Sequence, residues 1–369
     1  MRNTKLTVTF FLAATGMVMS CAGNTSPPIM GDGGNGDGDG GVGTDDGTVP
    51  FTSGVSTLAG MATAGYVDGP RRIAQFANPV NVAYYNGMLY VADFDNGKLR
   101  AIDATTHVTS TLIAQPGFQR PFGLAFAGNG TLYVATDNDQ AGNHTAMSGT
   151  IWKVDVTART ATVVANAIGR PRGLTVLPDG RLAVADYLHQ VIELVAVDTG
   201  QVTPIAGAWD AKGMVDGAGP TARFSSPYGV ALGGDGKLIV IDHDNNRIRQ
   251  VGLDGTTVTL AGTGVAGFAD GAMSQAKFSG PQGVSVAANG DVYITDLGNF
   301  RVRRITGGKV DTVAGNGTAG CVDNDDRLAS ELYGLEGLAV APDGSMVYVA
   351  DGSRGDPVPY NRVRQIKLD

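Results

Sequence analysis

The sequence predicts an all-β protein built from six repeated units, and three observations lead to that prediction. An alternating apolar run that ends in aspartate recurs along the chain, as in "LYVAD", "LIVID" and "VYITD". Each run follows a Pro-x-Gly motif or a relic of it, such as "PYG" or "PQG". The chain has 55 glycines in 369 residues and few helix-start signals, which is typical of a protein with many turns.

Each repeat is interpreted as an antiparallel meander of four strands. A glycine-centred turn between alternating apolar residues, as in "GVALGGDGKLIVID", predicts a hairpin. Segments such as "RIRQV" and "TVTLAG" predict two further strands. The unit spans about 53 residues, within the range of β-propeller blades. The Pro-x-Gly motifs or relics begin at Pro79, Pro121, Pro171, Pro227, Pro281 and Leu335, and the aspartates are Asp93, Asp137, Asp186, Asp242, Asp296 and Asp351.

The two ends of the repeat array predict a closed ring. The sixth repeat stops at "NRVRQIKLD", one strand short, whereas "VSTLAG" at residues 55–60 matches the fourth-strand sequence of another repeat. An N-terminal strand that completes the last blade leaves no unpaired edge between the terminal blades. The predicted fold is therefore a six-bladed β-propeller closed by its N-terminal strand.

The repeats also carry a family resemblance. The segments "DHDNNRI", "DLGNFRV" and "DFDNGKL", together with the Pro-x-Gly motif, resemble the NHL repeat, and the six units cover residues 55–369. The resemblance implies a six-bladed propeller. It implies function far less, because NHL proteins include ligand-binding domains, RNA-binding domains and a few enzymes. The formal net charge of −8 disfavours a nucleic-acid partner, which normally requires a basic face.

Residues 1–20 are interpreted as a signal peptide, because Arg2 and Lys5 precede an apolar stretch too short to span a membrane. Its end, "VMSC", resembles the lipobox of bacterial lipoproteins, which implies that the thiol of Cys21 receives diacylglycerol after cleavage. Ala22 then favours the outer membrane of a Gram-negative cell. The alternative is ordinary cleavage nearby, with Cys21 left free. The predicted localisation is the bacterial cell envelope, with membrane contact through the lipid anchor only.

Residues 21–50 are predicted to form a flexible tether, because "GDGGNGDGDGGVGTDDG" at residues 31–47 has Val42 as its sole apolar side chain. Calcium binding by the alternating Asp and Gly is an alternative, but no apolar positions interleave to build a β-roll. Residues 51–369 are assigned to the propeller.

The recurring aspartates are predicted to be structural, because a residue that recurs in each blade serves the blade. We expect them to accept turn hydrogen bonds and to pair with the arginine or lysine five residues further on. Functional residues are expected where the repeat is broken. Two loops between second and third strands are enlarged, at residues 138–149 and 352–360, and they are either binding elements or neutral insertions.

Connections with a Gly-x-x-Asp-Gly motif, such as "AGYVDGP", lie on the same predicted face as these loops, because strand direction alternates within a blade. Their phenylalanines, Phe76, Phe224 and Phe278, are predicted to fill the gaps between blades. The alternative is that these connections form a ligand rim.

Three histidines, His144, His189 and His243, fall in successive repeats. NHL-like lyases hold a metal through histidines, but the offsets here from the repeat aspartate are seven, three and one residues, which disfavours convergence on one ion. We therefore predict no metal and no other cofactor. Cys321 is expected to be a lone thiol outside any disulfide, packed as a small apolar side chain.

The sequence thus predicts a binding or scaffolding module for a peptide, protein or glycan partner at the cell envelope. The alternative is a metal-assisted lyase or hydrolase with its site in the channel mouth, although no nucleophile motif stands in a suitable context. The expected ligand-binding face comprises Tyr66, His144, Tyr187, His189, Trp209, His243, Phe268, Asp323, Arg354 and Tyr360.

Overall fold

The structure, a computed structural model, describes residues 51–368 with the exception of 52, 357 and 359. The predicted signal peptide, Cys21 and the tether lie outside the described residues. Six antiparallel sheets follow one another around a ring, and each inner strand contacts the inner strands of both neighbouring sheets. The protein is a six-bladed β-propeller, as the repeats predict. No helix in the described part of the chain is long and apolar enough to cross a membrane.

The strands follow the predicted meander in every blade. The first strand, β1 (Val55–Met61), belongs to the last blade. Blade 1 contains β2 (Pro79–Tyr85), β3 (Met88–Asp93), β4 (Lys98–Asp103) and β5 (Thr109–Ile113). Blade 2 contains β6 (Pro121–Phe126), β7 (Leu132–Thr136), β8 (Thr150–Asp155) and β9 (Thr160–Ala165). Blade 3 contains β10 (Pro171–Val176), β11 (Leu182–Asp186), β12 (Val191–Val195) and β13 (Val202–Gly207).

The other three blades repeat this order with small additions. Blade 4 contains β14 (Pro227–Leu232), β15 (Leu238–Asp242), β16 (Arg247–Val251) and β17 (Thr257–Ala261). Blade 5 gains a short outer strand, β18 (Gly271–Ala272), beside β19 (Pro281–Val286), β20 (Val292–Asp296), β21 (Arg301–Thr306) and β22 (Lys309–Ala314). Blade 6 contains β23 (Leu335–Val340), β24 (Met346–Asp351), β25 (Asn361–Lys367) and β1. Three single-turn 3-10 helices span Gly219–Thr221, Leu297–Asn299 and Arg327–Ala329.

The N-terminal strand closes the ring, as predicted. Strand β1 pairs antiparallel with β25, from Val55 opposite Ile366 to Met61 opposite Asn361. Leu58 and Ala59 of β1 are fully buried in an apolar cluster that also holds residues of blade 1. The two ends of the propeller are therefore joined by a hydrogen-bonded ladder and by packing of apolar side chains.

Glycine in the Pro-x-Gly motif is required by the close approach of neighbouring inner strands. A Cβ atom at Gly173 would lie 2.5 Å from the carbonyl oxygen of Tyr228, and one at Gly229 would lie 2.5 Å from the carbonyl oxygen of Gln282. The ladder between the first two strands is also irregular at this motif in each blade. Such bulges re-aim side chains, and here the residue between Pro and Gly faces the central channel in blades 2 to 6.

Buried arginines fasten the long connections in four blades. Arg100, Arg249, Arg303 and Arg364 lie on the third strands of blades 1, 4, 5 and 6, and their side chains are fully buried. Each donates to the aspartate that ends the second strand and to the aspartate of the preceding connection. Arg100, for example, lies 2.8 Å from Asp93 and 2.6 Å from Asp68. Removing one partner of a buried ion pair costs about 3–5 kcal/mol, which applies to each arginine and its buried second-strand aspartate. The connection aspartates are 39–48% exposed, so their pairs with the same arginines contribute less.

These contacts correct two details of the sequence interpretation. The buried partner of the aspartate is seven residues further on in blades 1, 4 and 5, not five. In blade 2 the residue that matches Asp93 in the ladder is Thr136, since each lies opposite the proline of its own first strand. Asp137 therefore lies one residue beyond the structural position. Its carboxylate instead pairs with Arg170 and Arg172 of blade 3.

The connections themselves run along the outer strands of the blades that they precede. Gly69 pairs with Thr109 of β5, and Gly217 pairs with Thr257 of β17. Phe76, Phe224 and Phe278 are fully buried, which confirms their predicted role between blades. Each of these rings lies about 5 Å from the guanidinium of its blade's arginine, at 5.0, 5.1 and 5.1 Å, within the usual range of cation–π contacts.

Closure by β1 predicts unequal effects of two N-terminal truncations. Deleting residues 22–48 should hardly change the melting temperature, because this deletion leaves β1 intact. Deleting residues 22–60 should lower it markedly, because blade 6 then loses its outer strand and the ring opens. Thermal melts followed by circular dichroism make the comparison, and equal melting curves for the two truncations would contradict the role of β1.

Candidate ligand-binding face

One face of the propeller carries the loops between second and third strands and the ends of the blade-to-blade connections. We call it the loop face. The inner strands start on this face, so the Pro-x-Gly motifs lie where the central channel opens. The residues between Pro and Gly therefore form a ring around the mouth of the channel.

This mouth ring carries a different side chain in each blade. Five blades supply the residue between Pro and Gly, and blade 1 supplies the asparagine that replaces the glycine. The ring consists of Asn81, Phe122, Arg172, Tyr228, Gln282 and Glu336, and these residues line a cavity of about 60 Å³. A water molecule needs at least about 10–15 Å³ of such volume, so the cavity holds a few waters or one small part of a larger ligand.

Arg172, Gln282 and Glu336 of the mouth ring are buried, whereas Asn81 and Tyr228 are half-buried, and the hydrogen-bonding capacity of these side chains is partly unused. Arg172 is held by Asp137, with Nη1 and Oδ1 2.5 Å apart. Tyr228 donates its hydroxyl proton to Glu336 over 3.3 Å. Gln282 is 8% exposed, and its side-chain oxygen has no hydrogen-bond partner in the structure. The ring therefore offers both donors and acceptors to a ligand.

Burial controls the charge of the mouth ring. It raises the pKa of Glu336 to about 7, although Arg172 and the hydroxyl of Tyr228 act in the opposite direction. Burial would also raise the pKa of Asp137, but Arg172 and Arg170 outweigh it and lower that pKa. Asp137 is therefore an anion that neutralises Arg172, whereas Glu336 is partly protonated near neutral pH.

Aromatic rings extend from the mouth ring across the loop face. The ring of Tyr228 lies 5.5 Å from Phe122, 5.6 Å from Tyr187 and 5.4 Å from His243, between centroids. The ring of Phe94 lies 5.9 Å from that of Phe122, again between centroids. We call these five residues the aromatic surface. It joins blades 1 to 4 on one side of the channel mouth.

Two of the residues predicted for ligand binding, Tyr187 and His243, thus meet at Tyr228. His189 and Trp209 form a separate pair, with stacked rings 4.1 Å apart. The ring of His189 also contacts Asp186, with Nδ1 and Oδ2 2.6 Å apart. Trp209 remains 46% exposed, so this pair presents an apolar ring to solvent.

Arg354 and Tyr360 come together around Tyr333 in blade 6. The rings of Tyr333 and Tyr360 are stacked at 4.3 Å, and the guanidinium of Arg354 lies 5.8 Å from the ring of Tyr333. The hydroxyl of Tyr333 donates to Asp356 over 2.6 Å. Residues 352–356 of the enlarged loop are therefore packed onto the loop face.

The other predicted residues lie away from the channel mouth. Tyr66 and Phe268 lie on the connections that follow the outer strands, with Tyr66 5.0 Å from Arg100 and Phe268 4.0 Å from Arg301. Asp323 is the connection aspartate of a triad and pairs with Arg364 at 2.7 Å. His144 contacts the backbone oxygen of Asp137 within the other enlarged loop.

The three histidines have different partners. His144 contacts a backbone oxygen, His189 contacts Asp186, and the Nδ1 atom of His243 lies 2.9 Å from the backbone oxygen of Pro281. Within the described ranges, no group of three His, Cys, Asp or Glu side chains is arranged to hold a metal ion.

Cys321 is disulfide-bonded, so the expectation of a lone thiol is wrong. A sulfur in a disulfide cannot carry a lipid, so the lipidation of Cys21 expected from the sequence requires a chain in which that sulfur is not disulfide-bonded.

The mouth ring is a candidate functional feature that the sequence reasoning missed. The middle residue of the motif changes from Phe to Arg, Tyr, Gln and Glu in blades 2 to 6, while the following glycine recurs in all five and the preceding proline in four of them, with Leu335 in blade 6. A variable position inside a recurring motif was the available signal. Its meaning depends on the bulge, which turns this side chain towards the axis.

Comparison with known proteins agrees with this architecture. The family model "NHL repeat" matches residues 278–305, which include β19 and β20. The chain is 29% identical over 285 residues to Protein SUPPRESSOR OF QUENCHING 1, chloroplastic, from Arabidopsis thaliana, an alignment that covers 65% of this chain and 26% of that protein. It is 27% identical over 300 residues to NHL repeat-containing protein 2 from Gallus gallus, covering 66% and 41%. The chain therefore spans less than half the length of either relative.

Among solved structures, an auxiliary nutrient binding protein from Bacteroides thetaiotaomicron superposes with a TM-score of 0.67 at 18% identity, over 85% of this chain and 75% of that chain. At this identity the likeness shows the fold alone. The chain is thus a six-bladed β-propeller that contains an NHL repeat.

Blade 3 departs from the triad pattern in a way that has a measurable consequence. Glu193 lies on the third strand, seven residues after Asp186. Blades 1, 4, 5 and 6 have their buried arginine at the same position of the ladder. It is 3% exposed, and its Oε2 atom has no hydrogen-bond partner. Burial and the nearby Asp186 raise the pKa of Glu193 to about 8. The side chain is therefore mostly protonated in the folded protein at neutral pH.

Because the folded pKa of Glu193 lies above its unfolded value, its contribution to stability is complete below about pH 4 and is lost as the pH rises towards 8. Glu193→Gln keeps the shape without the charge, so we expect it to raise the free energy of unfolding at pH 8 by about 1–3 kcal/mol and to change it little at pH 4. Urea unfolding across this pH range measures the difference. The exposed Asp235→Asn is the matched control, and parallel curves for Glu193→Gln and wild type would contradict the protonated state.

Proposed function

We propose that this chain is a binding module of the bacterial cell envelope, which captures a peptide, protein or glycan partner on its loop face. The observation that carries the proposal is the continuous aromatic surface beside the polar mouth ring. Ligand sites combine apolar walls with a few fixed polar groups, and this arrangement supplies both within neighbouring blades.

Rigid support favours binding over a merely structural role for these side chains. Phe122 and Tyr228 belong to inner strands, whose positions are fixed by close contact with the next blade. Arg172 lies 4.2 Å from the ring of Phe122 and 5.6 Å from that of Tyr187, and Asp137 fixes its orientation. Preformed side chains lose little conformational entropy when a partner binds, which strengthens association.

The structural neighbour described as an auxiliary nutrient binding protein is consistent with this proposal. It shares the fold at low identity, and it gives a precedent for a propeller of this shape with a binding role. The peptide, protein or glycan nature of the partner is our own proposal for this chain.

We further propose that Cys21, in the form of the protein in which its sulfur is not disulfide-bonded, carries the lipid that holds the module at the membrane. The support is the signal-like residues 1–20 and the lipobox-like end "VMSC". An anchor of this kind keeps the protein at the membrane because each buried methylene contributes about 0.8 kcal/mol.

The binding role predicts which substitutions weaken partner capture. Tyr187→Ala should lower affinity by at least about tenfold, because aromatic side chains in the centre of a binding surface contribute most of the energy. Replacing residues 138–149 with a short turn should also weaken capture if this loop contacts the partner. Binding is measured with the purified full chain on an oligosaccharide array and a peptide array.

Tyr84→Ala is the matched control, since Tyr84 stacks on Tyr348 at 5.6 Å near the other end of an inner strand. Wild-type affinity in Tyr187→Ala would contradict the assigned surface. Stoichiometric metal in the wild type that is lost in the double variant His189→Ala, His243→Ala, together with turnover, would favour the lyase or hydrolase alternative.

The anchor predicts that Cys21→Ala releases the protein from the membrane fraction and leaves the melting temperature of the propeller unchanged. Fractionation with a high-salt wash gives the measurement, and Cys321→Ala, which should remain membrane-bound, is the control. Intact mass spectrometry separates the two states of the sulfur, because lipidation adds acyl chains whereas a disulfide removes two hydrogen atoms. Cys21→Ala protein that stays in the membrane fraction would exclude the lipoprotein hypothesis.

A further inference from the structure

We propose that the mouth ring binds one sugar residue at the end of a neutral glycan, with its hydroxyl groups in the cavity and the following residues over the aromatic surface. This inference rests on the proposed function and names the ligand class for the same site. Four properties of the mouth ring support it.

The first property is a buried acceptor that lacks a donor. The side-chain oxygen of Gln282 has no partner, although the residue is 8% exposed and lines the cavity. An unsatisfied buried polar group costs about 1–3 kcal/mol. A ligand hydroxyl that donates a proton to this oxygen takes the place of a water for which the cavity has room, which makes Gln282 an anchor for a hydroxyl group.

The second property is the mixture of donors and acceptors. Arg172 has N–H groups beyond the one donated to Asp137, Gln282 has an amide NH₂ group, and Glu336 has a second carboxyl oxygen. A hydroxyl group both donates and accepts, so a polyhydroxylated ligand satisfies all three side chains. A phosphate or sulfate can only accept from them, and an ammonium group can only donate.

The third property is the balance of charge. Asp137 is shared between Arg172 and the partly exposed Arg170, and Glu336, which lines the cavity, supplies the second carboxyl group for these two cations. Burial of that carboxyl keeps part of it protonated near pH 7. A charged ligand group placed here would lose its hydration without gaining a full counter-charge, which is costly in a buried site. A neutral ligand avoids this cost.

The fourth property is size and shape. About 60 Å³ corresponds to roughly four to six water positions, which is enough room for the hydroxyl groups along one edge of a sugar ring. Phe122 and Tyr228 line the same cavity. Aromatic faces carry partial negative charge, so they attract the polarised C–H groups of a sugar while its hydroxyl groups face the polar side chains.

The test uses the purified full chain on two arrays. One holds neutral, uronic-acid-containing and sulfated oligosaccharides, and the other holds random peptides. We expect binding to neutral oligosaccharides. Titration calorimetry with the best-bound neutral oligosaccharide should show that Gln282→Ala and Glu336→Ala each lower affinity at least about tenfold. Gln250→Ala is the matched control, because Gln250 contacts Asp235 in a turn on the opposite face.

Two isosteric variants keep the test decisive if the alanine variants fail to fold. Glu336→Gln retains a donor and an acceptor and should bind within about threefold of wild type. Gln282→Glu retains the shape but removes both amide donors and adds a second carboxyl group beside Glu336, so it should bind at least about tenfold more weakly.

The possible outcomes separate the ligand class from the proposed binding function. Neutral oligosaccharides that bind equally well to the mouth-ring variants would overturn the inference and leave the proposed function intact. Preference for charged oligosaccharides would overturn the neutral character of the ligand, and preference for peptides would overturn the sugar assignment; both outcomes leave the proposed function intact. A chain that binds nothing on either array would contradict the proposed function itself.

Discussion

The contact between neighbouring inner strands is the constraint on which the rest of this propeller depends. Five of the six inner strands bring a glycine against the next inner strand, and a Cβ atom at Gly173 or Gly229 would collide with a carbonyl oxygen. The irregular ladder at the same motif turns the preceding residue towards the axis. The motif glycine is therefore fixed by steric contact, whereas the residue before it is free to vary. The propeller can change the side chains at its channel mouth without disturbing the contacts between inner strands.

The outer parts of the blades are organised by charge instead of contact distance. Four blades combine a long connection with a buried arginine, whereas blades 2 and 3 have short connections and place Trp152 and Glu193 at the corresponding positions. The two features go together because a buried guanidinium needs the second carboxylate that the connection supplies. Blades 2 and 3 are thus the less constrained sector, and they supply Phe122, Tyr187 and Arg172 to the candidate site.

The sequence predicts the fold well because repetition multiplies a weak signal. One alternating run is ambiguous, but six runs in register, with a fourth-strand sequence at residues 55–60, specify the meander and its closure. The partner of the aspartate was predicted two residues too early. Lys98 lies directly opposite Asp93 in the ladder, but Arg100 is the residue that the connection covers and buries. Burial, which cannot be read directly from a sequence, decides whether Lys98 or Arg100 is the partner of Asp93. The mouth ring was not predicted for a related reason. The direction of the middle side chain of each motif depends on the bulge, which the sequence does not show.

The direction of β1 determines how the propeller is presented when it is held from its N-terminal side. Met61 pairs with Asn361, next to the loop face, and Val55 pairs with Ile366 at the far end of the same strand. The chain therefore joins the propeller on the face opposite the channel mouth. A protein held from this side therefore has the loop face as its far end, and the plain side with its short turns lies nearest the point of attachment. Closure of the ring and the face at which the chain enters it are thus both set by β1.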